Sequence, residues 1–212
     1  MTAKSALFSF LLAFPLIAEM PVAVSLPKPE TNGGKPLMQT LSERKSEREF
    51  ASRDLSPQVL SNLLWAAFGV NRPDGRRTAP SAMNRQTVDV YVVKAEGAFL
   101  YDAARNQLSP VAATDLRTAT GTQAYVGQAP LNLVYVSDYS KMGNSPENDK
   151  AMLAGAETGF IGQNVYLYCA SEGLATVIRA SIDKDALAKA LKLKPSQHIV
   201  LAQTVGYPKD GH

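Results

Sequence analysis

The feature that most constrains the fold is a long helical pattern at Asn148–Ser171. The segment is rich in alanine and glycine, so the helix surface is smooth and a neighbouring element can pack closely against it. Gly173 interrupts the pattern. The apolar runs Leu131–Val136 and Leu174–Ile178, before and after the helix, are typical of strands. The sequence therefore predicts a long helix beside a sheet.

The other segments add shorter helices and strands. Helices are predicted at Leu37–Arg44, Gln58–Phe68 and Lys184–Leu193, and strands at Val88–Val93, Gly97–Asp102, Gln107–Val111 and Ile199–Val205. The second helix has the clearest start, because Ser56 is a good N-cap and Pro57 fits the first turn. This order predicts an α+β fold with a mixed, mainly antiparallel sheet that is flanked by helices.

Composition argues against several function classes. The chain has 212 residues, enough for one domain with a substantial core. Its net charge of +3 is mild, and no run of Lys or Arg indicates a nucleic-acid surface, so no nucleic-acid partner is expected. Two histidines and Cys169 do not provide metal-ligand spacing, so no metal is predicted. The Gly-x-Ser-x-Gly pattern of many serine hydrolases is absent from the sequence.

The N-terminal residues 1–25 have the pattern of a secretory signal peptide. Lys4 precedes the apolar run Ala6–Ala18, which is short for a membrane span, and Ala23-Val24-Ser25 fits a cleavage site. We therefore expect an exported, periplasmic protein with a Pro/Gly-rich linker at residues 26–36 and a folded domain at residues 37–212. No stable membrane association is expected after cleavage. The alternatives are a buried helix or a retained anchor, and a misread signal would leave the protein cytoplasmic.

A basic segment (residues 44–48) follows the first predicted helix. Arg44, Lys45, Ser46 and Arg48 place three cations and a hydroxyl within a few positions of one another. Arginine offers a planar fork of donors to a phosphate, and a serine hydroxyl can donate to a polar chain. Taken alone, such a cluster is more often a solvated helix face.

A small-residue loop (residues 80–86) lies before the first long predicted strand. Ser81 and Ala82 are small enough for a ligand to approach the backbone, and Asn84 and Gln86 offer amide donors and acceptors. Taken alone, the loop would be an ordinary turn. Together, the basic segment and the small-residue loop predict a site for flavin mononucleotide (FMN).

These motifs resemble those of the FMN-dependent nitroreductase family. Gln163-Asn164 followed by Gly173-Leu174, and Val205–Pro208 at the C-terminal end, match two further family motifs in the same order. The middle of the chain, Leu100–Pro130, is similar to the branch that contains oxidases of thiazoline and oxazoline rings in peptides. The Lys-Tyr pair of those oxidases does not occur in this sequence.

The resemblance implies a nitroreductase-like fold and an intertwined homodimer with two FMN sites at the interface. One subunit would supply the basic segment, with Lys209 near the phosphate and the backbone around Leu174, Ala175 and Thr176 running past the ring. The other subunit would supply the small-residue loop, namely Pro80, Ser81, Ala82 and Asn84, with Gln86 as a further amide.

The resemblance also implies that the flavin, and no side chain, performs the chemistry. A backbone N–H near Arg179 and Ala180 is expected beside flavin N5, where relatives often have Glu-Gly, and an arginine there would favour anionic substrates. The expected reaction is ping-pong transfer of two electrons from NAD(P)H, the family's usual donor, to a nitroaromatic, a quinone or a similar small molecule.

Two alternatives stay open at this point. One is a flavin-binding or interaction protein without turnover, suggested by Thr87-Val88 where many relatives have Pro-Trp. The other is a dehydrogenase that acts on azoline rings of a peptide.

Overall fold

The structure, a computed structural model, describes residues 22–209. Its strands are β1 (Val24–Ser25), β2 (Val88–Lys94), β3 (Gly97–Asp102), β4 (Gln107–Ala112), β5 (Leu131–Asp138), β6 (Ala175–Arg179) and β7 (Gln197–Gly206). Its α-helices are α1 (Leu37–Glu43), α2 (Pro57–Phe68), α3 (Glu147–Glu172) and α4 (Lys184–Ala190). Short 3-10 turns lie at Ala82–Asn84, Arg117–Thr120, Ala124–Gly127 and Tyr139–Met142.

The strands form one sheet in the order β1-β4-β3-β2-β5-β7-β6, and neighbouring strands are antiparallel throughout. The predicted α+β class with helices on the sheet is confirmed. The sequence predicted a mixed, mainly antiparallel sheet, and in the structure every pair among the described strands is antiparallel. Strand β6 lies at one edge of the sheet, so one side of its backbone is free to accept other partners.

Both faces of the sheet are covered, which explains why its central strands read as almost continuous apolar runs. In β5, Leu133 and Tyr135 belong to the core beneath α2 and α3, whereas Val134 and Val136 belong to a second core on the face of α4. Alternation along the strand therefore divides one apolar run between two cores.

Local signals set the bounds of the helices. The Ser56 hydroxyl accepts a hydrogen bond from the Val59 N–H at 3.3 Å, which caps α2 as predicted. Helix α3 ends at Gly173, whose φ of 69° is a left-handed conformation that glycine adopts without strain. Helix α4 ends at Ala190, earlier than the predicted Leu193.

Helix α3 packs closely on the sheet through Gly162. A Cβ at this position would lie 2.6 Å from Ile178 Cδ1, so a larger residue would force the Ile178 side chain to move. Gly155 and Gly159 of the same helix face open space in the single chain. The alanine- and glycine-rich pattern thus serves two faces of the helix, only one of which is covered.

The predicted linker carries no helix or strand but is fastened to the domain. The Pro27 carbonyl accepts from Asn106 Nδ2 at 2.7 Å, and the Lys35 N–H donates to Ser171 Oγ at 2.9 Å. The chain therefore crosses α2 and reaches the end of α3 before α1 begins. Residues 1–21 lie outside the described residues, so the signal-peptide prediction stays a prediction; a cut after Ser25 would remove β1.

Among residues 22–209, no helix combines the length and the apolar character needed to cross a bilayer.

A buried carboxylate joins the start of β2 to α3. Glu157, 3% exposed, accepts from Thr87 Oγ1 at 2.7 Å and from the Val88 N–H at 3.3 Å. Burial is the main influence on this group and raises the pKa of Glu157 above its ordinary value of 4.5. The folded protein therefore holds this proton more tightly than the unfolded chain does. The resulting stabilisation is complete below the unfolded pKa and is lost as the pH rises through the raised folded pKa.

We predict that Glu157→Gln removes this pH-dependent loss of stability. An uncharged glutamine can accept from the Val88 N–H through Oε1 and donate to Thr87 Oγ1 through Nε2. Its free energy of unfolding relative to that of wild type should therefore rise by about 1 kcal/mol between about pH 4 and about pH 8. Urea unfolding at both pH values tests this, with the exposed Glu30→Gln as control. Parallel pH profiles for wild type and Glu157→Gln would contradict the prediction.

Candidate flavin-binding site

The basic segment docks on the free edge of β6. After α1 ends, the Glu47 N–H donates to the Thr176 carbonyl at 3.0 Å. Further along, the Ala51 N–H donates to the Tyr207 carbonyl at 2.9 Å, and Phe50 forms an isolated bridge with Pro208. The segment is thus held in an extended form between the edge strand and the end of β7.

Tyr166 of α3 connects the basic segment to the strand. Its hydroxyl hydrogen-bonds Ser46 Oγ at 2.8 Å and accepts from the Ile178 N–H at 3.0 Å. The Arg44 guanidinium lies over its ring, 5.2 Å from the centroid. Sequence reasoning missed this residue. The available signal was a hydroxyl on the buried face of α3, one helical turn from Gly162.

A cleft of about 330 Å³ opens beside the basic segment. Its lining includes Lys35, Glu43, Lys45, Glu47, Tyr166 and Thr176. Two of its cations are paired: Lys45 with Glu47 and Lys35 with Glu43, each at 2.6 Å. The hydrogen bond from Lys35 lowers the pKa of Glu43. The cleft itself is therefore of mixed charge.

Other predicted cations are not paired in this way. No ion pair among residues 22–209 involves Arg44, Arg48 or Lys209. The Lys209 N–H donates to the Glu49 carbonyl at 3.2 Å, so the C-terminal end of the described chain lies next to the basic segment. Arg48 is exposed. These cations remain available to an anionic ligand.

The strand residues predicted beside the ring can contribute only backbone. Leu174, Ala175 and Thr176 have buried side chains, and the Thr176 hydroxyl donates to the Thr204 carbonyl at 2.8 Å. Ala180, just after the strand, is exposed. The side chain of Arg179 is buried, so it cannot meet a substrate directly.

The small-residue loop has an unusual backbone. Met83, Asn84 and Gln86 all have positive φ, at 54°, 55° and 47°. Left-handed conformations in residues other than glycine are strained and cluster at functional sites. The Ser81 hydroxyl holds the loop by accepting from the Gln86 N–H at 2.7 Å. Pro80, Ala82 and Asn84 are exposed.

Gln86 supports the loop with its side chain. Its Oε1 accepts from Arg77 Nε at 2.9 Å, and its Nε2 donates to the Gly75 carbonyl at 3.0 Å and to Asn84 Oδ1 at 3.1 Å. In the single chain, the Gln86 amide therefore hydrogen-bonds within its own loop and the preceding turn. The Asn84 side chain is the more exposed of the two amides.

The basic segment and the small-residue loop lie at opposite ends of the sheet. The loop leads into β2, where Val88 pairs with Ser137 of β5. The basic segment is bonded to Thr176, which pairs with Val205, the partner of Leu131 at the other end of β5. At about 3.3 Å per residue, Leu131 and Ser137 are ~20 Å apart. One chain therefore does not bring the two segments together.

The residues fit an FMN group in part. The cations without ion pairs suit a phosphate, and the Ser46 hydroxyl beside the edge of β6 suits a ribityl chain or the edge of a ring. The amide loop expected on the other side of the ring is too distant within the same chain. Cys169 beneath the cleft is buried, which raises the pKa of its thiol and keeps it protonated.

We predict that Tyr166→Phe loosens the basic segment. Loss of the hydroxyl leaves the Ile178 N–H without its partner, which should lower the free energy of unfolding by about 1–2 kcal/mol. Hydrogen exchange at Glu47 should accelerate at the same time. The matched control is Tyr168→Phe, whose hydroxyl donates to the Val59 carbonyl of α2 at 3.4 Å. Equal effects of the two changes would contradict a specific role for Tyr166.

The chain is similar to proteins of a known family over most of its length. Residues 41–207 match the model of the nitroreductase family. A protein of Methanocaldococcus jannaschii, provisionally named as nitroreductase MJ1384, is 28% identical over 180 residues, which cover 80% of this chain and 90% of that protein.

Solved structures agree with this match. A protein of Ralstonia eutropha JMP134, described provisionally as a nitroreductase, is 40% identical with a TM-score of 0.86, covering 96% of this chain and 97% of that one. A chain of the Escherichia coli microcin synthetase McbBCD complex is 22% identical with a TM-score of 0.68, covering 95% and 85%, and so shares the fold. From the family match over most of its length, the chain belongs to the nitroreductase family.

Proposed function

We propose that the chain is an FMN-dependent oxidoreductase of the nitroreductase type. Membership of the family supports a flavin-dependent oxidoreductase in general. The observation that best supports a flavin site in this chain is the basic segment docked on the edge of β6, where Arg48 and Lys209 form no ion pair within residues 22–209. The choice of FMN as the flavin, and the identities of the electron donor and the acceptor, belong to this proposal.

The cations have separate tasks in this proposal. Arg44 is oriented by the ring of Tyr166 and would hold the phosphate or the ribityl chain together with Lys45 and Lys209. Since Lys45 is paired with Glu47, binding a phosphate would require it to change partner. Arg48 would stand near the pyrimidine end, where a reduced flavin carries negative charge.

FMN, when bound, would supply the redox chemistry: it would accept a hydride from a donor such as NAD(P)H and pass two electrons to a nitroaromatic, a quinone or a similar acceptor. The edge of β6 and the basic segment would orient the ring. Export, if it occurs, would require a donor other than cytoplasmic NAD(P)H.

We propose that the site is completed in a homodimer. Because the small-residue loop lies ~20 Å from the basic segment along the sheet, the loop that meets a given flavin would come from a second copy. Both segments are exposed in the single chain.

An uncovered face of α3 supports the dimer. Met152 is 64% and Phe160 is 47% exposed, and Gly155 and Gly159 between them face open space. Leu37 and Met38 of α1 are also largely exposed, at 62% and 76%. Large apolar side chains on a smooth helical surface are typical of a face that packs against another protein surface.

The direct test is an absorbance spectrum of the purified protein with FMN. Bound flavin should bleach under a reductant and return with a nitroaromatic or a quinone. Arg44→Ala should weaken FMN binding by about 10- to 100-fold, as expected for loss of a charged hydrogen bond. Arg48→Ala should mainly lower the midpoint potential, by ~30 mV for each tenfold loss of preference for reduced flavin.

The control for both is Arg105→Ala, since Arg105 pairs with Asp102 in the hairpin between β3 and β4. Protein that gains no flavin spectrum with added FMN would overturn the proposal. Protein that binds FMN but never re-oxidises with an acceptor would favour the flavin-binding alternative without turnover.

The dimer has its own prediction. Phe160→Glu places a charge on the uncovered face of α3, which should convert a dimer to monomers in light scattering and release FMN in parallel. The control, Ala104→Glu, adds the same charge at an exposed position of the β3–β4 hairpin. A wild-type chain that is monomeric with FMN bound would contradict the shared site.

A second candidate function is oxidation of azoline rings in a peptide. It is favoured by the similarity to a chain of the McbBCD complex, whose structure contains truncated pro-MccB17. At 22% identity this similarity concerns the fold, and the Lys-Tyr pair is missing from this sequence. Mass spectrometry of a thiazoline peptide incubated with the FMN-loaded protein would show loss of two hydrogens if this candidate is right.

A further inference from the structure

Arg179 is the buried basic side chain of the described residues. It is 7% exposed and lies at the end of β6. The other buried charged residue among those described is Glu157 of α3, which contacts the start of β2. Its Nη2 donates to Thr120 Oγ1 at 2.9 Å and to Asn132 Oδ1 at 2.7 Å. Its Nε and Nη1 are buried and have no hydrogen-bond partner within residues 22–209.

No carboxylate compensates this charge. None of the ion pairs among residues 22–209 involves Arg179. Burial lowers the pKa of Arg179 from its ordinary value of 12.5 to about 10. The guanidinium therefore remains positive at neutral pH.

The groups that hold Arg179 fix its position without cancelling its charge. Asn132 is itself fixed, since its Nδ2 donates to the Val126 carbonyl at 2.8 Å and its Oδ1 accepts from Thr204 Oγ1 at 2.6 Å. The backbone of Gly121 closes on the guanidinium: a Cβ there would lie 2.8 Å from Nε. Little space is left for a carboxylate in direct contact.

Burying an uncompensated charge costs free energy of folding. A negatively charged group that lies nearby without direct contact would offset this cost. Strand β6 carries both Arg179 and the edge of the proposed flavin site. The preceding residue, Ile178, is bonded to Tyr166 and through it to Ser46, and the following residue, Ala180, is exposed. The guanidinium thus lies behind the strand along which the ring would lie.

We propose that Arg179 is an electrostatic positioning residue that stabilises the reduced flavin from behind β6, without contact. This inference rests on the proposed function. Uptake of two electrons and one proton by FMN from an external reductant adds one net negative charge. A fixed positive charge in a medium of low dielectric constant favours that state and raises the midpoint potential.

The primary test compares FMN-loaded wild type with Arg179→Met. Methionine fills similar volume without a charge or unpaired donors, so the variant should fold, and its FMN-free form should be at least as stable as wild type. Its preference for reduced over oxidised FMN should fall about tenfold, which corresponds to ~30 mV for a two-electron couple. Arg179→Lys should retain most of the wild-type preference at pH 6, where a buried lysine is more fully protonated.

The matched control is Arg117→Gln. Arg117 begins the 3-10 turn that also contains Thr120, a hydrogen-bond partner of Arg179. Its charge is paired with Asp115 at 2.7 Å, so its replacement should leave the midpoint potential of the flavin unchanged. Salt separates the buried charge from Arg48: 1 M KCl should reduce the effect of Arg48→Ala, whereas the effect of Arg179→Met should persist because buried charges are screened less.

Three results would overturn the proposal. The first is an unchanged potential in Arg179→Met and in a second neutral variant, Arg179→Gln. The second is an equal effect of Arg117→Gln. The third is stabilisation of the FMN-free wild type by chloride that Arg179→Met abolishes, because a small anion would then be the partner. Failure of wild type to bind FMN would instead overturn the proposed function, and this inference with it.

Discussion

The Tyr166 hydroxyl is the contact on which the candidate site depends. It joins three parts of the chain that are distant in sequence: the Ser46 hydroxyl of the basic segment, the Ile178 N–H of the edge strand and helix α3 itself. Because β6 has one unpaired edge, its backbone groups need partners, and the tyrosine and the Glu47 N–H provide two of them. The extended, cation-rich segment is therefore a consequence of completing a sheet edge.

The two ends of the sheet carry different features. At one end, three non-glycine residues of the small-residue loop have positive φ, and the loop is held by Ser81, Gln86 and, beyond it, the buried Glu157. At the other end, Arg44, Arg48 and Lys209 form no ion pair with any described residue. The two ends lie ~20 Å apart along β5, which is the physical reason for proposing that two copies complete one site.

The charged groups fall into two classes with different physical behaviour. Arg117 and Lys45 have carboxylate partners and contribute little field beyond their immediate surroundings. Arg179 is fixed by neutral groups and has no such partner among the described residues, so its field extends into the edge strand. The family resemblance marked position 179 for a different reason, a cation near the ring that would favour anionic substrates; its side chain is buried.

The sequence by itself determined which segments are helices and strands, because N-caps, terminating glycines and apolar periodicity are local signals. Ser56, Gly173 and the two-faced run of β5 are examples. Through motifs, it also predicted a set of residues for a flavin site.

Only the tertiary structure decided how those residues are related. Tyr166 gained its role from the docking of α3 on β6, the two motifs were separated by the length of β5, and Arg179 was turned inward. Each of these depends on contacts between residues far apart in sequence, and no local pattern of side chains records which partner a hydroxyl, a loop or a charge will meet.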